Sequence, residues 1–122
     1  LVVYDSSTAN EGNLKKIPKN VLIEKVSSDD PKMLSRVLAK KGYNKVLWEC
    51  GPKLATSAIK AGCIKECITF IAPKIIGGED CMTPCSDFKF ISMKEVLNLN
   101  LKEVNRIDDD ICLISDMRPN TK

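Results

Sequence analysis

Three features of the sequence predict an α/β fold: a mixed sheet with flanking helices that crosses over between parallel strands and ends in an antiparallel hairpin. Apolar runs of strand character alternate with helical patterns through the first two thirds of the chain. Both helical patterns open on a proline and stop at a glycine. The last two apolar runs flank Asp108-Asp109-Asp110, a turn-forming triplet.

The elements follow in order. Residues 1–4 (Leu-Val-Val-Tyr) read as a strand, and residues 5–13 carry the Asp, Ser, Thr, Asn and Gly of turns. Residues 21–26 form a second strand. Asp30 is placed to cap a helix whose first residue is Pro31, since proline lacks an N–H that would go unpaired there and presets the helical φ. Met33, Leu34, Val37 and Leu38 share one face of that helix, Lys32, Arg36 and Lys40 lie away from it, and Gly42 ends it. Residues 45–49 (Lys-Val-Leu-Trp-Glu) are the next strand, broken by Cys50-Gly51-Pro52. Pro52 opens a second helix with the face Leu54, Ala55, Ala58 and Ile59, stopped at Gly62. Residues 68–72 are a strand. Ile75-Ile76-Gly77-Gly78 leads into a polar loop reaching Asp87, residues 88–92 are a strand, and a short turn or helix surrounds 94–97. Residues 101–107 and 111–115 make the terminal hairpin, and 118–122 form a tail.

The 122 residues suit one domain. With 43% hydrophobic and 29% charged residues the composition is that of a globular protein, and with 5% aromatics the core must be built from Ile, Leu, Val and Ala. The net charge of +3 is spread over scattered lysines, with no basic run interleaved with aromatics, so nucleic acid is not the expected partner. No stretch reaches the roughly 20 apolar residues of a membrane helix. The chain opens on strand-like residues and is expected to be part of something longer. An early-truncated sheet exposes an edge, and exposed edges invite pairing, so a homodimer is expected.

Six cysteines occur, at 50, 63, 67, 81, 85 and 112. They sit in apolar surroundings, where reduced cysteine behaves as a small hydrophobe, which favours a reducing cytoplasm. Cys63 with Cys67, and Cys81 with Cys85, form two CxxxC pairs. A tetrathiolate zinc site is one reading, against which stand the missing CxxC spacing and the lack of histidine. The other reading puts Cys63 and Cys67 at core positions and Cys81 and Cys85 in a loop, with no bound metal. Without histidine, Cys–His and Ser–His–Asp arrangements are excluded within this chain.

The sharpest local feature is the junction Val46-Leu47-Trp48-Glu49-Cys50-Gly51-Pro52-Lys53-Leu54-Ala55-Thr56-Ser57. A strand turning into a helix through glycine puts unpaired N–H groups and the positive end of the helix dipole together, which suits phosphate. Gly51 lets a ligand approach closely, and Thr56 and Ser57 offer hydroxyls one turn in. Many such turns bind nothing, and neither a Gly-Lys-Ser/Thr loop nor a complete GxGxxG is present. Glu49 ends an otherwise apolar strand where α/β sheets place ligands. It suits ligand hydroxyls, and it equally suits pairing with a lysine.

Glu49-Cys50-Gly51-Pro52-Lys53-Leu54-Ala55, then Ala61-Gly62-Cys63-Ile64-Lys65-Glu66-Cys67, then Ile71-Ala72-Pro73-Lys74-Ile75-Ile76-Gly77-Gly78, together with the closing Asp110-Ile111-Cys112-Leu113, resemble the reductase domain of the bifunctional riboflavin-biosynthesis deaminase–reductase. The resemblance covers nearly the whole chain. It implies a dihydrofolate-reductase-like fold and NADPH-dependent reduction of the ribosyl group of 5-amino-6-(5-phosphoribosylamino)uracil to the ribityl form. Carried over by residue, it implies that Glu49 contacts substrate and that Gly51, Pro52, Lys53, Leu54, Ala55, Thr56 and Ser57 wrap the NADPH diphosphate. No catalytic acid or base is implied, since the cofactor carries the hydride. Ser6 and Ser7 would lie near the adenosine end. Cys50 departs from a position that is often glycine. The family's Lys-x-Ala-x-Ser-Leu-Asp-Gly strand, its Arg-rich segment and its zinc deaminase domain have no counterpart in these residues. Residues 1–122 are therefore expected to be a partial reductase domain, inactive alone, with a non-catalytic assembly or dimerisation module as the alternative.

Overall fold

A computed structural model of the chain describes residues 2–5, 11–26, 29–78 and 81–117. Ser6, Ser7 and the tail at 118–122 lie outside the described residues. The chain divides into two compact units, Leu1–Cys63 and Ile64–Lys122.

The first unit holds a parallel pair of strands, β1 (Val2–Asp5) and β2 (Ile23–Val26), in the register Val2 opposite Ile23 through Asp5 opposite Val26. Parallel neighbours need a crossover between them. Its described residues include a helical turn, α1 (Glu11–Leu14), in a stretch whose composition predicts only turns. Along β2, Glu24 is half-buried and Val26 buried, while the alternate residues Ile23 and Lys25 are exposed, the period-two signature of a strand with one covered face.

Helix α2 (Pro31–Lys40) starts as its sequence predicts. The Asp30 carboxylate accepts the Met33 N–H at 3.0 Å, and Pro31 occupies the first turn. Leu38 is buried and Met33, Leu34 and Val37 are half-buried, whereas Lys32, Arg36 and Lys40 face water. The helix closes through glycine: the Gly42 N–H bonds to the Ala39 carbonyl and the Tyr43 N–H to that of Leu38. The Lys41 ammonium then reaches Glu24 at 2.8 Å, joining the end of α2 to β2. Helix α3 (Pro52–Lys60) repeats the design, with Gly62 bonded to Ile59 and Cys63 to Ala58, and it packs beside α2. Cys63 thus occupies the position just beyond a helix-ending glycine.

Residues 45–49, predicted as a strand, carry no strand ladder among the described residues. A strand exists only where a neighbour takes up its backbone donors and acceptors. No described residue does so here, and Leu47 stays 78% exposed.

The second unit is a three-stranded antiparallel sheet in the order β3-β5-β4, formed by β3 (Glu66–Ile71), β4 (Asn100–Ile107) and β5 (Asp110–Asp116). The hairpin turns at Asp108-Asp109, with Ile107 opposite Asp110, as the acidic triplet predicts. Asp108 has φ 53°, a left-handed conformation that aspartate tolerates better than most residues. Central β5 carries the buried Cys112 and Ser115, and β4 is exposed along its length. A bulge between Leu101 and Glu103 leaves Lys102 as the extra residue, and its ammonium bonds Glu66 of β3 at 3.0 Å.

The strand expected at 88–92 does not form. The Asp87 carboxylate accepts the Lys89 N–H at 2.7 Å and Lys89 takes φ 58°, which no strand residue adopts. The Ile91 N–H goes to the Glu95 carboxylate at 3.2 Å. Side chains have taken the donors that a ladder would need. Phe88 and Phe90 stack at 5.1 Å across the kink.

Candidate functional site

The junction between residues 45–50 and α3 sits against an open cleft of about 410 Å³, lined by Leu34, Leu38 and Tyr43 from the α2 side, by residues 45–50, and by Leu54 of α3. Of the residues singled out in the sequence, Glu49 and Leu54 line this cleft and Glu49 is exposed. Trp48 and Cys50 line it too and are half-buried. Trp48, Tyr43 and the α2 leucines were not read as site residues. They are apolar positions of ordinary core type, and only the folded arrangement gathers them beside Glu49.

Gly51 is the residue preceding α3, with φ −68° and ψ 166°, and no side chain caps this helix. The contrast with α2 is chemical: there a carboxylate takes up a first-turn N–H, whereas at α3 that role is left open. A Cβ built on Gly51 would meet nothing within 4 Å. Its backbone is extended and available to any residue, so the glycine is not needed to make the turn. Its absent side chain leaves open space in front of the helix.

The remaining residues of the segment distribute around α3. Gly51, Lys53 and Ser57 are exposed, and Pro52, Leu54 and Ala55 are half-buried. Thr56 is buried at 6% exposure, so the two hydroxyls grouped by sequence lie in different environments. The uncapped N-terminus, the exposed Lys53 and the open space at Gly51 together leave a position with partial positive charge in front of α3. Glu49, two residues before Gly51 in the irregular segment ahead of α3, offers a carboxylate to hydroxyl groups.

Among the described residues no three His, Cys, Asp or Glu side chains come together to hold a metal ion. Cys81 and Cys85 lie outside regular structure, and the Cys81 thiol bonds the Gly77 carbonyl at 2.6 Å. Cys67 lies in β3 and Cys112 is buried in β5. No described helix is long and apolar enough to cross a membrane.

The comparisons agree with the motif reading. The chain is 37% identical over 81 residues to the Arabidopsis thaliana riboflavin biosynthesis protein PYRR, chloroplastic, covering 66% of this chain and 14% of that protein. It is 31% identical over 81 residues to Escherichia coli RibD, covering 66% of this chain and 22% of the relative. The chain therefore spans less than a quarter of the length of either. The solved structure of Acinetobacter baumannii RibD superposes with a TM-score of 0.67 at 27% identity, over 77% of this chain and 26% of that one, so the mixed α/β fold is shared. The sequence model of the RibD C-terminal domain matches residues 1–113, nearly the whole chain, and this protein belongs to that family.

Proposed function

We propose that this chain is a C-terminal part of a reductase domain that reduces the ribosyl side chain of 5-amino-6-(5-phosphoribosylamino)uracil to the ribityl form with NADPH, in riboflavin biosynthesis. The supporting observation is the α3 N-terminus, which lacks a side-chain cap and opens onto empty space at Gly51, with the exposed Glu49 two residues before it. In this reading the backbone from Gly51 through Ala55, with Pro52 and Lys53, holds the diphosphate of NADPH. Thr56 and Ser57 support that turn, and Glu49 binds substrate hydroxyls. NADPH, when bound, supplies the hydride, so these residues bind and orient and need no acid–base pair. Nothing in the 122 residues matches the Lys-x-Ala-x-Ser-Leu-Asp-Gly segment, and the chain by itself is proposed not to oxidise NADPH. The protein is proposed to work in a reducing compartment, the cytoplasm, while the plant relatives are named as chloroplastic.

The test is a calorimetric titration of NADPH into the chain and three variants. The chain binds, Gly51→Ala retains affinity, and Gly51→Asp loses at least about tenfold, because a carboxylate at the helix N-terminus repels the diphosphate. Glu49→Gln leaves cofactor affinity unchanged. Equal affinity for wild type and Gly51→Asp, or no binding by the chain, overturns the placement.

A homodimer is also proposed, on the observation that β4 is an edge strand exposed along its whole length with Leu101 and Val104 in it. Light scattering that returns a monomer mass up to about 100 μM, a weak association by the usual affinity scale, rejects it.

A further inference from the structure

We draw no further inference here: the strongest candidate, the apolar surface and free outer edge of the β3-β5-β4 sheet with the exposed Ile75-Ile76 loop beside β3, carries nothing beyond the association already proposed because nothing in the structure shows what covers it.

Discussion

Asp30 and Gly51 precede consecutive helices and fill the same position in opposite ways. The Asp30 carboxylate accepts the Met33 N–H, while Gly51 has no side chain to offer and only its carbonyl accepts, from the Ala55 N–H. The difference makes Gly51→Asp a clean probe. Aspartate is a better cap than glycine by a few tenths of a kcal/mol, so the variant should melt no lower than wild type while binding NADPH less well. Loss of binding with loss of fold would mean that the side chain does not fit there. Both cap residues were legible in the sequence, since Asp-Pro and Gly-Pro before an apolar helical face have one common reading. What was not legible was the backbone at Gly51: its φ of −68° is open to any residue, so the turn itself does not require glycine. Lys102 makes the second residue-scale case. Its pKa is raised, first by its hydrogen bond to the Glu66 carboxylate and then by that charge, with Asp116 and Glu103 adding to it. A lysine whose folded pKa lies above its unfolded value contributes stability that is fully present below the unfolded pKa and lost as pH rises through the folded one. Lys102→Met should therefore be slightly less stable than wild type at neutral pH. Denaturant midpoints should converge in alkaline solution, and also in roughly 1 M salt, since the pair is open to solvent. A gap that persists unchanged at high pH would show that the lysine acts through its methylene stem instead.

The two long helices were the most readable elements because each carries its own boundaries. Proline begins them, glycine ends them, and the apolar spacing between agrees with the burial seen at Leu38 and Ala58. Gly62 sits at φ 69° as the left-handed closing residue of α3, with its N–H on the Ile59 carbonyl. Gly62→Ala forces a Cβ into that conformation and should cost about 1 kcal/mol. Gly51→Ala, at an extended φ, should cost far less. Thermal melts of the two variants side by side test this, and equal melting temperatures would count against the left-handed closure. Strands were less readable, and for a physical reason. Residues 45–49 have the composition of a strand but no ladder among the described residues, while residues 88–92 have it and lose their N–H groups to Asp87 and Glu95. A helix satisfies its own backbone, so its local sequence suffices. A strand depends on a partner and on the lack of nearby side chains that compete for its donors. The terminal hairpin escaped this uncertainty because its partner strand lies only a two-residue turn away.

At the scale of the molecule, burial is sparse. Val26, Pro31, Leu38, Ala58 and Cys112 are the buried apolar residues among those described, whereas Ile75 and Ile76 are 101% and 93% exposed. Adjacent β-branched residues in open solvent add nothing to folding, because hydrophobic stabilisation scales with the area removed from water and here almost none is removed. They do add to the exposed apolar area, which favours association in general. Nothing in the sequence distinguishes them from core residues, since an Ile-Ile pair after a strand has the same composition whether or not something covers it. The double substitution Ile75→Ser with Ile76→Ser should therefore leave the unfolding free energy within about 0.5 kcal/mol of wild type, the range of ordinary surface changes. It should also lower the binding of an apolar fluorescent dye and raise the concentration at which the chain stays dispersed. If these side chains were packed, each would contribute about 1.5–3 kcal/mol and the double variant would unfold at markedly lower denaturant. Denaturant melts and dye titrations on the same two proteins separate the outcomes: an unchanged midpoint with weaker dye binding means the pair belongs to an open surface, and a lowered midpoint means it is part of the core.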